Sequence, residues 1–356
     1  MNMTKSSFYL LCLALVLMTA CEDDFELNAD YKRQPVVYGV IDPGAEKQIF
    51  MINHTFLGDG SAFDYALIED SALYDNLEAR IFWDEGSVLL EPEVIDTKDD
   101  DIAGLFYAPE QTVYSAPTSA FNFGANSTDT YRLGAIGDGD TIFAETTQII
   151  IVNSDLRAPS SNQTLNFVSN SSNVFTNPVY TELNIEYKFV KDALKHNVRV
   201  RLLFNEVRND GTMTEKFAEF EVKKLLATDD DGTTIGEESF PYSGEAFFQS
   251  IANNVDVDPN VNYREILGVE FLYSAFGTEL SKYLDIVNPT GGVGQETPSY
   301  SNINGGEAHG ILSAKATLSR IIPVDKISGK TFEELVFGQF TGDLKFCNTQ
   351  EGFNCE

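Results

Sequence analysis

Residues 197–226 decide the fold class: Asn197-Val-Arg-Val-Arg-Leu-Leu-Phe-Asn-Glu-Val207, a turn at Asn209-Asp210-Gly211, then Glu215-Lys-Phe-Ala-Glu-Phe-Glu-Val-Lys-Lys-Leu-Leu226. Apolar and polar residues alternate in both arms, the period of a strand with one buried face. Asn-Asp-Gly supplies residues that tolerate the positive φ of a tight hairpin turn. The stretch therefore predicts a long antiparallel hairpin.

The same pattern extends in both directions. Toward the C-terminus, strands are expected at Leu267–Ala275 and Gly310–Arg320, and toward the N-terminus at Thr181–Phe189. Two short helices interrupt them. Ser243–Asn253 has Ala246, Phe247, Ser250 and Ile251 at helical spacing, with Ser243 as its cap, and Gly277–Val287 puts Leu280, Tyr283 and Leu284 on one face. Lys330–Val336 reads as a helical turn or a strand. Further upstream, strands are expected at Pro35–Ile41, Gln48–Thr55, Leu77–Trp83, Val88–Ile95, Gly104–Tyr107, Tyr131–Ile136 and Ile142–Val152, with a turn at Asp138-Gly-Asp and a short helix or long loop at Asp64–Asp75. About seven short strands in that order suggest an immunoglobulin-like sandwich.

The expected fold class is thus mainly β: an N-terminal immunoglobulin-like β-sandwich over 34–153, followed by a second β-rich domain with two short helices over 179–346. Residues 154–178, rich in Ser, Asn, Thr and Pro, have the composition of a linker or long surface loop. Residues 347–356 form a tail.

The first twenty residues differ from the rest. Lys5 is followed by an apolar run, Phe8 to Met18, and by Leu17-Met-Thr-Ala-Cys21. The run is too short to span a bilayer, which takes about 20 residues, but suits a secretory signal. Leu-x-x-Ala-Cys resembles the lipobox of bacterial lipoproteins, which implies cleavage after residue 20, lipidation of Cys21 and a membrane anchor made of acyl chains. Residues 21–33 then form an acidic tether, and Glu22-Asp-Asp resembles a cell-surface display signal of Bacteroidota lipoproteins. Of the remaining cysteines, Cys12 leaves with the signal. Cys347 and Cys355 stand eight apart, a spacing for a small disulfide loop in an oxidising compartment.

The chain carries 24 Lys plus Arg against 55 Asp plus Glu, a formal charge of −31. Such a field repels nucleic acid, so a nucleic-acid partner is not expected. His54, His196 and His309 are the three histidines and fall in no zinc-binding spacing. No Gly-x-Ser-x-Gly elbow is present, and with 55 acids a carboxylate pair of the kind glycosidases use would arise by chance. Calcium is the most fitting ion for the acidic loops Asp99-Asp-Asp, Asp138-Gly-Asp, Asp229-Asp-Asp-Gly and Asp256-Val-Asp-Pro-Asn. In the last, Asp256, Asp258 and Asn260 have EF-hand spacing, but Val261 and Leu267 occupy the positions that need Gly and Glu. No cofactor is otherwise implied.

Four segments carry a wider resemblance: Val36-Val-Tyr-Gly-Val-Ile41, Thr278-Glu-Leu-Ser-Lys-Tyr-Leu284, Tyr300-Ser-Asn-Ile-Asn-Gly-Gly306 and Gly310-Ile-Leu-Ser-Ala314. In that order they are similar to the Bacteroidota outer-membrane lipoproteins grouped as domain-of-unknown-function family 4249. The chain departs from that pattern at Glu307-Ala-His309, inserted between the glycines and the strand. The resemblance implies an immunoglobulin/transthyretin-like β-sandwich for the first domain and an outer-membrane location near TonB-dependent transporters, and no chemistry. The expected function is a lipid-anchored, non-enzymatic binding or assembly module, accessory to such a transporter. The alternatives are a glycan- or protein-binding adhesin, which would bind an extracellular ligand, and a hydrolase with an unrecognised carboxylate site.

Overall fold

The computed structural model describes residues 31–57, 64–65, 68–96, 110–124, 129–171, 173–226, 236–287, 300–348, 353 and 355. The strands are β1 (Pro35–Ile41), β2 (Lys47–His54), β3 (Leu77–Trp83), β4 (Gly86–Asp96), β5 (Glu110–Pro117), β6 (Thr130–Gly137), β7 (Asp140–Thr147), β8 (Leu156–Ala158), β9 (Glu182–Lys188), β10 (Ala193–Arg208), β11 (Met213–Leu226), β12 (Glu237–Ser243), β13 (Val261–Gly277), β14 (His309–Pro323) and β15 (Phe346–Cys347). The helices are α1 (Gly244–Asn254), α2 (Thr278–Val287) and α3 (Gly329–Phe337). The chain is mainly β.

One hydrogen-bonded path runs β11-β10-β13-β14-β1-β2-β5-β4-β3-β6-β7, with β15 beside β13, and a smaller sheet runs β12-β9-β8. Two strands carry the path around corners. In β4, Ser87–Leu90 pair with β3, whereas Glu91–Asp96 pair with β5. The N-terminal half thereby folds into two layers, whose inward residues Val37, Phe50 and Ile52 and Ile81, Leu133 and Ile142 belong to one buried core. In β14, His309–Ala314 pair in parallel with β1, and Lys315–Pro323 pair antiparallel with β13.

That second corner alters the expected division into domains. The first strand of the expected sandwich is bonded directly to a strand near the C-terminus, so the ladder crosses from one half to the other. The stretch 154–178 is likewise no free linker. Leu165, Phe167 and Val168 are fully buried, the Phe167 N–H donates to Thr331 Oγ1 at 2.7 Å, and the Phe167 ring stacks on Phe247 of α1 at 4.3 Å. Three apolar residues are enough to anchor a stretch whose overall composition is polar.

The smaller sheet and α1 cover one face of β10–β13. Tyr187 of β9 packs on Tyr273 of β13 at 4.7 Å, and Ser243 caps α1 by accepting the Ala246 N–H. The hairpin 197–226 forms as expected, with β10 reaching back to Ala193, β11 beginning at Met213, and Gly211 at φ +86°. Lys330–Val336 lies inside α3. The expected strand at 104–107 lies outside the described residues, and β5, which the reading did not anticipate, supplies the central partner of β2 and β4. The C-terminal tail is fastened twice: β15 pairs with β13, and Cys347 is disulfide-bonded to Cys355. Beside it, the buried Arg264 guanidinium bonds Glu206 at 3.0 Å and the Leu344 carbonyl at 2.7 Å. Burial opposes ionisation of Glu206, but Lys216 and Arg264 outweigh it and hold its carboxyl below the ordinary value.

Candidate functional site

Four segments far apart in the sequence, 36–41, 278–284, 300–306 and 310–314, meet in space. Their meeting begins with a glycine. At Gly310 φ is +97° and a Cβ would stand 1.8 Å from the Val37 carbonyl oxygen, so glycine alone lets β14 lie beside β1. Just upstream, the turn at Asn304-Gly305-Gly306 has positive φ at all three residues. It aims two asparagine side chains at the free edge of β7. Asn304 Oδ1 accepts the Phe143 N–H at 2.8 Å, and its Nδ2 donates to the Thr141 carbonyl at 3.0 Å. Asn302 Nδ2 donates to Leu312 and Glu145 carbonyls at 2.9 and 3.2 Å, and its Oδ1 accepts the Leu312 N–H at 2.9 Å. These amides take the bonds a neighbouring strand would have taken, and tie β7 to β14.

On the outer face of β1 and β14 lies α2. Ser313 Oγ accepts the Leu280 N–H at 2.9 Å, satisfying one of the free donors of the first helical turn. Tyr38 meets Tyr283 edge-on at 5.9 Å. Burial, then the hydroxyl of Tyr283 to which it hydrogen-bonds, pushes the Tyr38 pKa up to about 12. The Tyr300 hydroxyl donates to Glu279, whose carboxyl is raised by burial and lowered in part by Lys282. Lys282 Nζ stands 5.7 Å from the Tyr300 ring centre. Between α2, β1 and the 300–310 turn opens a hollow of about 590 Å³, walled by Tyr38, Tyr283, Tyr300 and Ile286 and rimmed by Gln34, Ser301, Glu307 and His309.

A second surface lies on the outer face of β3, β6 and β7. Here Phe82, Ile136 and Phe143 are 41%, 65% and 56% exposed. Arg80, Gly134 and Phe143 lie in register across the three strands, and Phe82 leans over Gly134, where a Cβ would stand 2.9 Å from its ring. A shallow hollow of about 660 Å³ follows this face. Neighbouring cations are paired: Arg80 with Glu78 at 3.1 Å and Arg132 with Asp84 and Glu145 at 3.6 Å each. The sequence contained a signal for this face. In Leu77–Trp83 the positions alternate with Leu77, Ala79, Ile81 and Trp83 inward, which leaves Phe82 outward beside Glu78 and Arg80.

The remaining sequence candidates take structural roles. Asp258 Oδ1 accepts the Asn260 N–H at 2.8 Å and its other oxygen faces Arg208 at 3.6 Å. The Asp256 carbonyl accepts from Arg264 at 3.0 Å. These residues form the turn into β13. Among the described residues no group of three or more His, Cys, Asp or Glu stands together as metal ligands would. His54 has both ring nitrogens against backbone carbonyls, those of Thr55 and Leu73. His196 is buried, accepts the Val190 N–H at 3.0 Å, and has its pKa lowered by burial to about 4. His309 bonds Gln34 at 2.8 Å. Cys21 and the loops at Asp99 and Asp229 lie outside the described residues.

No family model matches the chain, and no curated protein sequence matches it. Among solved structures, it is similar to the C-terminal globular domain of an oligosaccharyltransferase from Pyrococcus abyssi, at 8% identity over 59% of this chain and 37% of that one, with a TM-score of 0.17. The chain thus matches well under half of that protein, and a score this low gives no shared architecture to argue from.

Proposed function

We propose that this protein is a lipid-anchored, non-enzymatic binding module of the outer membrane, displayed at the cell surface, that docks onto an integral membrane protein such as a TonB-dependent transporter through the outer face of β3, β6 and β7. The observation that carries this reading is the exposed apolar set Phe82, Ile136 and Phe143. Apolar side chains gathered on one sheet face, rimmed by paired charges, have the make-up of a protein interface.

The position of the tether favours a partner in the same membrane. Arg33 donates to the Asp138 carbonyl at 2.6 Å and pairs with Asp140 at 2.9 Å, so the chain leaves the fold beside the β6–β7 turn, two residues from Ile136. Nine residues lie between the lipobox Cys21 and Tyr31, a reach of at most about 35 Å. The apolar face therefore stays close to the bilayer. The lipobox and the resemblance to outer-membrane lipoproteins support the same location.

The test is a mild-detergent pull-down of the intact chain from its native envelope. An integral outer-membrane protein should come along in near-equal amount, and Phe143→Glu, which alters an exposed side chain, should lose it while Cys21→Ser loses membrane attachment. A chain recovered alone after crosslinking in cells, or a partner retained by Phe143→Glu, would count against the reading.

A further inference from the structure

The residues at the meeting of α2, β1 and the 300–310 turn fall into two groups. Asn302, Asn304, Gly310 and Ser313 have structural work: they satisfy backbone groups or permit close approach. Tyr38, Tyr283, Tyr300, Gln34, Glu307 and His309 have none that the ladder requires, yet all face the same hollow of about 590 Å³. That volume lies within the range of about 300–1,000 Å³ usual for small-ligand sites.

Their chemistry is mixed in a particular way. Three tyrosine rings, with Ile286, form apolar walls. The rim carries an amide, an imidazole, a carboxylate and a serine hydroxyl, which accept and donate in similar measure. An anionic ligand would meet Glu307 and the field of a chain at −31. A compact cation would want its charge over an open ring face, but Tyr38 and Tyr283 meet edge to face at 66° and Tyr300 already has Lys282 beside its ring. A neutral sugar ring fits both halves of the site: an apolar C–H face for the tyrosines, and hydroxyls around it for the rim.

We infer that this hollow is a saccharide site, taking a neutral pyranose unit on the walls of Tyr38, Tyr283 and Tyr300 and holding its hydroxyls with Gln34, Glu307 and His309. The site adjoins the proposed protein interface, since Tyr300 and Ser301 also line a hollow with Phe143 and Glu145, but Phe82 and Ile136 lie away from it. The ring belongs to a free glycan or to a glycolipid headgroup; the chemistry is the same.

The test is a glycan array probed with the full chain in detergent, followed by calorimetric titration with the neutral disaccharides cellobiose, maltose and chitobiose, and with tetramethylammonium and inorganic phosphate as competing classes. Vesicles bearing a neutral glycolipid distinguish the membrane source from the free one. At least one neutral saccharide is expected to bind, and Glu307→Ala with His309→Ala, both exposed, one in the turn and one at the first position of β14, should weaken it by about tenfold or more, equal to about 1.4 kcal/mol. Ile136→Glu, on the proposed protein interface and away from this hollow, should leave it unchanged. No binding by any neutral saccharide on the array or in titration overturns the inference, as does binding indifferent to the paired variant, or binding of tetramethylammonium or phosphate in place of sugar.

Discussion

The two ends of the long ladder protect themselves in different ways. At one end, among the described residues, β11 pairs only with β10. It is studded with charge: Glu215, Lys216, Glu219, Glu221 and Lys223. Several reach across to β10, as Arg199 and Arg201 do to Glu219 at 2.7 and 2.5 Å and Lys216 does to Glu206 at 2.7 Å. An incoming strand would have to bury those charges. At the other end β7 carries Phe143 outward beside one exposed acid, Glu145, which Arg132 pairs, and its edge is filled by Asn302 and Asn304. A charged edge must stay polar. A plugged edge is free to present apolar side chains, and that freedom is what places Phe143 and Ile136 on the surface.

The plug depends on Gly310, so the sharpest way to break the comparison is Gly310→Ala. The added methyl would lie 1.8 Å from the Val37 oxygen at a φ of +97°. Separation of β14 from β1 is expected, costing about 4 kcal/mol or more, with early proteolysis in β1 and little change in the exchange protection of β10–β11. Gly305→Ala, also at positive φ but in open space, should cost only about 1 kcal/mol. Thermal melts of the two variants should therefore separate widely.

What could be read from the sequence follows the same division between local and distant causes. The hairpin 197–226, the turn at Asp138-Gly139 and the cap at Ser243 were legible because alternation, turn residues and caps act within a few positions. The strand β5 was not, since Glu110-Gln-Thr-Val-Tyr-Ser-Ala-Pro lacks alternation and Val113 to Ala116 are all buried. The stretch 154–178, read as a linker or long loop, gave no sign of its anchoring because Leu165, Phe167 and Val168 are few among polar neighbours. At the candidate sites, Tyr300–Gly306 stood out as a motif, but its purpose did not. The bonds that explain Asn304 reach back 161 and 163 positions to Phe143 and Thr141, and no local pattern encodes them.

Acid should sharpen the contrast from the β11 side. His196 lies on β10, fully buried between Tyr187, Phe189 and Tyr273. Its folded pKa, about 4, lies below the ordinary value of 6.5, so the unfolded chain binds the proton first. Stability contributed by the neutral ring is complete above about pH 6.5 and declines as pH falls toward 4. The loss should approach about 3 kcal/mol, the equivalent of the pKa difference. Exchange protection in β10–β11 should fall across that window while β6–β7 holds. In a His196→Gln chain, which keeps an acceptor for the Val190 N–H, the decline should be absent; an unchanged pH profile would remove His196 as its cause.

The smallest expected loss of stability is the most informative about the edges themselves. Asn304→Ala leaves the Phe143 N–H and the Thr141 carbonyl without their partners. Because that edge is near solvent, water will replace part of both bonds, and the cost should be about 1–2 kcal/mol. The larger consequence is exposure of a strand edge guarded by fewer charges than β11 carries. Sedimentation should then show concentration-dependent self-association by Asn304→Ala, suppressed when Phe143→Glu places a charge on the same strand. Glu219→Gln at the other end removes one charge from β11 but leaves Glu215, Lys216, Glu221 and Lys223, so that chain should stay monomeric relative to the parent. If Asn304→Ala does not associate, the asparagine plug is a matter of stability alone; if both variants associate, charge and plug are equally thin protection, and the distinction between the two ends fails.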